Sequence, residues 1–170
     1  IAKQAKEQYP GIINIWGGYF AANQYRAVMG APYIDFVING PGDKAFPALL
    51  DALNNDTPYE FIPNLIYQQP DGEIIQNGKQ YLLDHAALAP LPYDYLNEFY
   101  PLQNYLANTF LGKRTLAYHS SVGCPFKCSF CAVVPIYEAR WKGKNAQNIY
   151  ADVKKLKREY GADSIEFHDN

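Results

Sequence analysis

Apolar residues near the start of the chain come in two short runs, each closed by glycine: Gly11-Ile-Ile-Asn-Ile-Trp-Gly-Gly18, and Tyr33-Ile-Asp-Phe-Val-Ile-Asn39 followed by Gly40-Pro-Gly-Asp43. Such runs bounded by turn residues predict buried strands. A helix is expected after the first strand, ending at Gly30. After the second, Phe46, Leu49, Leu50 and Leu53 recur at helical spacing, Asp43 is placed to cap the start, and Pro47 falls early enough to be tolerated. Strand, helix, strand, helix implies a parallel sheet with right-handed crossovers. Residues 1–60 thus read as the C-terminal half of a doubly wound, Rossmann-like domain. Ile1-Ala-Lys-Gln-Ala-Lys-Glu7 looks like the solvated half of a helix, and a start without methionine suggests a piece of a longer protein.

The pattern changes at Thr57, where proline and tyrosine begin to punctuate the chain. Asn64–Tyr67 and Glu73–Ile75 flank Gln68-Gln-Pro-Asp-Gly72, a hairpin signal. The prolines of Leu88-Ala-Pro-Leu-Pro-Tyr-Asp94 exclude a helix interior or a central strand, so residues 61–112 read as a connector containing one hairpin. A strand is expected over Arg114–His119. Further on, Ile149, Val153, Leu156 and Tyr160 form one stripe of an amphipathic helix that Asn145 can cap and Gly161 can stop. Ser164-Ile-Glu-Phe-His-Asp-Asn170 then alternates, with Ile165 and Phe167 on one face and Glu166 and His168 on the other. Residues 113–170 therefore read as the first strands of a partial (β/α) barrel of the TIM type, and the whole chain as α/β.

Composition narrows the partners. A hydrophobic fraction of 48% with 19% charged residues describes a folded chain, and a formal net charge of −2 gives no electrostatic footprint for nucleic acid. No apolar run approaches the roughly 20 residues of a membrane span.

All three cysteines fall within Ser120-Ser-Val-Gly-Cys-Pro-Phe-Lys-Cys-Ser-Phe-Cys131, spaced Cys-x-x-x-Cys-x-x-Cys. Three thiols cannot all pair as disulfides, and a thiol cluster with none spare suits a reducing, cytoplasmic compartment. A structural zinc would require His119 as a fourth ligand, and an electron-transfer ferredoxin cluster would require a fourth cysteine. On a four-iron cubane, three thiolates leave one iron open to bind a substrate.

The 3-then-2 spacing, Phe130 directly before the third cysteine and the short strand feeding the loop resemble the radical S-adenosylmethionine enzymes. The resemblance implies that Cys124, Cys128 and Cys131 hold a 4Fe-4S cluster. Its open iron chelates S-adenosylmethionine, which is cleaved to a 5'-deoxyadenosyl radical. Phe130 is then expected near the adenine. Asp169 or Glu166 would accept the methionyl ammonium, in place of the Gly-Gly-Glu that many members carry. Trp16-Gly-Gly18 followed by Val37-Ile-Asn-Gly-Pro-Gly-Asp43 is similar to the loops of cobalamin-binding members, so the resemblance extends to a cobalamin domain with Gly17, Gly18, Gly40 and Gly42 at the cofactor. Those members carry Gly-Glu-Gly-Glu where this chain has Gly40-Pro-Gly-Asp43; ordinary strand-to-helix turns use the same glycines. A small-molecule substrate and an electron donor such as flavodoxin or ferredoxin follow from the resemblance. A transfer-RNA methylthiotransferase would need further cysteines in its N-terminal domain. His119 stands closest in sequence to the cluster loop, while His168 reads as a packed or solvent-bonded residue and His85, in the connector, as incidental.

Overall fold

The computed structural model describes residues 1–81 and 91–169, so the part of the connector that contains His85 lies outside the described residues, as does Asn170. Two compact units emerge: residues 1–81 with 124–140, and residues 91–123 with 141–169.

The first unit is built on a four-stranded sheet of order β1-β2-β3-β4, formed by Ile15–Trp16 (β1), Phe36–Ile38 (β2), Leu65–Gln68 (β3) and Ile74–Gln76 (β4). The parallel pair expected from the glycine-closed runs is β1 and β2, with Ile15 opposite Phe36. The hairpin, placed with the connector by its turn signal, instead continues this sheet, with β3 antiparallel to β2 and β4 antiparallel to β3. Leu65, Ile66 and Tyr67 are all buried. A strand that is apolar on both faces needs cover on both, and an inner position supplies it.

Side chains alternate across the sheet with the period of two that strands impose. Phe36, Ile38, Leu65 and Tyr67 pack on one side against Ala45, Leu49 and Ala52 of α4 (Gly42–Asn55). Val37 and Ile66 pack on the other against Ala21 of α2 (Gly18–Asn23) and Val28 and Met29 of α3 (Tyr25–Met29), with Ala2 of the N-terminal helix α1 (Ala2–Gln8) against the same cluster. Helices therefore cover both faces, as expected of a doubly wound layer.

Four local expectations are corrected. β1 is short because the Asp35 carboxylate accepts the Asn14 N–H at 2.8 Å, which keeps that donor out of the ladder, and Ile12 and Ile13 remain exposed. The helix expected up to Gly30 is broken at Gln24, and both pieces feed one core cluster. Asp43 is not the cap: Pro41 precedes the first residue, Gly42, and Asp43 lies in the first turn, where the helix dipole favours an acid. Phe46 and Leu50 are exposed, and the inward stripe of α4 runs through Ala45, Leu49 and Ala52, because small residues let a helix lie close on a sheet.

In the second unit β5 (Thr115–Tyr118) and β8 (Ser164–Phe167) pair in parallel, Leu116 opposite Ile165. The intervening α7 (Ala146–Glu159) packs Leu156 against Leu116 and Tyr118, with Tyr160 and Ala162 beside them. As expected, Asn145 caps α7 by accepting the Asn148 N–H at 2.7 Å, and Gly161 just beyond has a left-handed φ of 76°. The Tyr118 hydroxyl donates to Asp152 of α7 at 2.6 Å, and Tyr160 donates to Asp94 at 2.5 Å. Burial and that bond push the Tyr160 phenol up to about 12. Asp94 belongs to α5 (Tyr93–Phe99), a short helix that starts directly after Pro92 and so obeys the proline constraint. An antiparallel ribbon of β6 (Ser121–Gly123) and β7 (Trp141–Gly143) was not legible from the pattern. Among the described residues no helix is long and apolar enough to cross a membrane.

Candidate cofactor and metal site

The glycines at the carboxyl ends of β1 and β2 are required by backbone geometry at two positions. Gly18 has φ +86° and Gly40 has φ +140°, conformations that residues with a Cβ rarely adopt. A Cβ on Gly18 would point into open space, whereas one on Gly40 would lie 3.1 Å from the Asn64 side chain. Gly17 and Gly42 are under no such demand; a Cβ on either would meet only an Ile38 atom at 3.9 Å.

Asn64, which the sequence placed merely at the start of a strand, organises this edge. It is 2% exposed and left-handed, with φ 66°. Its amide nitrogen donates to the Pro41 carbonyl at 3.1 Å and the Gln80 carbonyl at 3.0 Å, and its oxygen accepts the Gln80 N–H at 2.7 Å. The glycine turn is thereby tied to the irregular segment that follows the hairpin. Pro63-Asn64 before an apolar run is a turn signal, but the role of the side chain is decided by partners remote in sequence.

Gly18 and Gly40 converge on a cavity of about 150 Å³ whose other walls are Tyr19, Ala22, Ile136 and Tyr137. The last two lie on α6 (Val134–Tyr137), downstream of the cysteine motif, and sequence reasoning missed them, since nothing local links them to the glycines. Burial raises the Tyr137 phenol above its ordinary range, and Tyr19 and Asp43 add to the effect.

The cysteine loop belongs to the same unit. Cys124 and Cys131 are half-buried, Cys128 is exposed, and all three are free thiols. The Cys131 N–H donates to the Cys128 carbonyl at 3.1 Å, which closes a tight turn between them. Among the described residues no three His, Cys, Asp or Glu side chains are gathered into a ready metal cage. Three soft thiolates on one short loop nonetheless match an iron-sulfur ligand set in kind and number. Phe130 projects from this loop and is 91% exposed.

Several contacts fasten the loop's C-terminal arm. Asn23 of α2 donates to the Ala132 carbonyl at 3.2 Å, and Lys79 donates to the Pro135 carbonyl at 2.5 Å. The Tyr81 hydroxyl donates to Glu138 at 2.7 Å while the Arg140 guanidinium lies 3.9 Å from the Tyr81 ring centre. The Tyr81 bond, aided by Arg140, holds the Glu138 carboxyl below its usual range.

In the second unit the expected S-adenosylmethionine carboxylates lie at the end of β8, in different circumstances. Asp169 Oδ1 accepts the Ser120 and Ser121 N–H groups, each at 2.8 Å, and Oδ2 accepts the Ser120 hydroxyl at 2.5 Å. Desolvation works against its charge, but the Ser120 and Ser121 bonds prevail and lower its pKa. Asp169 thus shapes the turn that leads into β6 and Cys124. Glu166 is half-buried, with Oε2 3.5 Å from His168 Nε2, and the His168 and His119 rings stand edge to face at 6.2 Å.

No family model matches the chain. Over its full length it is 29% identical to an uncharacterised methyltransferase of Pyrococcus horikoshii, spanning 36% of that protein. It is 22% identical over 92% of its length to the anaerobic magnesium-protoporphyrin IX monomethyl ester cyclase of a Synechocystis species, spanning 30% of it. The chain thus covers about a third of these relatives. Its fold is shared with the cobalamin-dependent S-adenosylmethionine radical enzyme OxsB, at TM-score 0.72 and 15% identity over 99% of this chain and 23% of that one. TsrM of Kitasatospora setae, a radical S-adenosylmethionine methyltransferase solved with cobalamin and a [4Fe-4S] cluster, matches 92% of this chain and 30% of its own, at TM-score 0.60 and 16% identity. The similarities point the same way as the cysteine loop and the glycine turns: in sequence the chain is similar to methyltransferases and cyclases that include a cobalamin-dependent radical S-adenosylmethionine methyltransferase, TokK of Streptomyces tokunonensis, 28% identical over 77% of this chain and 19% of that one, and its fold is that of cobalamin-dependent radical S-adenosylmethionine enzymes.

Proposed function

We propose that this chain is the part of a cobalamin-dependent radical S-adenosylmethionine enzyme in which Cys124, Cys128 and Cys131 hold a 4Fe-4S cluster and the turns at Gly17, Gly18, Gly40 and Gly42 receive cobalamin. The observation that carries the reading is the presence, in one compact unit, of three free thiols on a short loop and a cavity bounded by Gly18 and Gly40. Thiolate is the right ligand chemistry for the cluster, and bare backbone facing open space at Gly18 suits close approach by a flat ring. When bound, the reduced cluster supplies the electron that cleaves S-adenosylmethionine and starts radical chemistry at an unactivated carbon.

The chain's own residues hold and orient. Asn64 fixes the Pro41 carbonyl beside Gly40, so the glycine turn is preformed. Asp169 fixes the turn ahead of Cys124. Asp169 or Glu166 accepts the methionyl ammonium, and the three bonds that Asp169 already accepts leave Glu166 the less committed of the two carboxylates. Phe130, with its ring exposed, is free to stack on the adenine. A flavodoxin or ferredoxin supplies electrons, and the substrate is a small molecule. Relatives named for methyl transfer and for ring formation make these the two reaction classes to assay. Residues 113–170 would be the opening strands of a barrel. Residues 1–170 alone should then give no turnover, because two parallel strands enclose no barrel interior.

The test is to isolate the full-length protein without oxygen. About four irons per chain, an electron-spin signal that changes on adding S-adenosylmethionine, and loss of both in Cys128→Ala are expected. Stoichiometric zinc in place of iron would sink the reading.

A further inference from the structure

We propose that Tyr137, on the short helix that follows the cysteine motif, is a ligand-contacting residue of the glycine-lined cavity, donating its phenolic hydrogen to an amide oxygen on the rim of a flat, amide-bearing cofactor. This rests on the cobalamin reading above.

Tyr137 is half-buried in the cavity wall, and its hydroxyl makes no hydrogen bond among the described residues. Withdrawing a hydroxyl from water without a partner is unfavourable, and most such groups find one in the protein or in a ligand. Its neighbours bias it toward donation. Burial, Tyr19 and Asp43 all raise its pKa, so the phenol keeps its proton through the neutral range and offers a hydrogen rather than a negative charge.

The backbone holds Tyr137 at this place at some cost. Glu138 and Ala139, directly after it, both take left-handed conformations with φ of 48° and 58°. Two consecutive non-glycine residues of this kind persist only where surroundings enforce them. Here the Tyr81 bond to Glu138, the Lys79 bond to the Pro135 carbonyl and the packing of Ile136, 4% exposed, do so. Cys131 lies six residues before Tyr137 on the same strand of chain. A ligand that engages Tyr137 therefore restrains the arm of the metal-binding loop, and by linkage cofactor occupancy and order in that arm favour each other.

Equilibrium dialysis of the full-length protein against hydroxocobalamin, with iron counted in parallel, tests this. Tyr137→Phe should raise Kd about three- to tenfold, the loss of one neutral hydrogen bond, at unchanged iron content. Equal Kd values for wild type and Tyr137→Phe would overturn the role of Tyr137 while leaving the cobalamin reading in place. Absence of saturable binding by the wild type would remove the cobalamin reading, and the Tyr137 contact with it. A measurement without a variant is amide hydrogen exchange across residues 132–140. It should slow when hydroxocobalamin binds, and unchanged exchange in cofactor-saturated protein counts against the proposal.

Discussion

The strand ends of the two units are each tied off by one side chain, and the two ties are chemically opposite. Asn64 is buried and neutral and uses its amide for three bonds to backbone beside the glycine turn. Asp169 is exposed and charged and accepts three bonds from the turn ahead of the cysteines. A buried amide cannot titrate, and leaving its partners unpaired is costly, so the first edge is stiff and indifferent to pH. An exposed carboxylate holds its turn only while ionised and competes with water for it. The stiff edge carries glycines whose conformations must be kept, and the conditional edge leads along the chain to the three free cysteines.

The largest expected effect follows from removing the stiff tie. Asn64→Ala should lose about 3 kcal/mol in urea unfolding, because it removes the partner of three half-buried backbone groups and places alanine at a left-handed φ. A loss under about 1 kcal/mol would mean that the edge is not rigid. Gly40→Ala comes next, at about 2 kcal/mol for the positive φ and the tight approach to Asn64. In an Asn64→Ala background the steric share of that cost should disappear, and a double-mutant cycle reads the coupling directly.

Asp169→Asn is expected to cost about 1 kcal/mol at neutral pH, a charge-assisted interaction discounted for solvent exposure. Because the folded-state pKa of Asp169 is depressed, its contribution is present above the unfolded value of about 3.9 and disappears as pH falls through the lower folded value. The difference between wild type and Asp169→Asn should therefore be flat from about pH 5.5 to 8 and close below about pH 4. A gap that widened on acidification would reverse the assigned sign. The smallest effect belongs to Tyr81→Phe, on the exposed latch to Glu138. It should leave the denaturation midpoint in place yet speed exchange in residues 135–140, since local opening need not involve the core.

Local sequence carried the elements whose stability is local. The amphipathic stripe of α7, its Asn145 cap and the Gly161 stop were legible because each acts within a few residues. So were the glycine-closed strands and the cysteine spacing. The hairpin shows the limit: its turn was plain, but its place beside β2 came from the need to cover both faces of Leu65-Ile-Tyr67. Asp43 shows another, since a residue suited to capping took the first turn instead once Pro41 occupied the cap.

What the sequence alone determined was the chemistry on offer: three thiols at ligand spacing, glycines where strands end, and two α/β segments. Only tertiary structure decided which groups meet. It brought Gly18, Gly40 and Tyr137 to one cavity and gave Asn64 and Asp169 their turns to hold. The physical reason is range. Propensity, capping and ligand type act through neighbours along the chain, whereas burial and the pairing of distant polar groups depend on which surfaces the fold brings into contact.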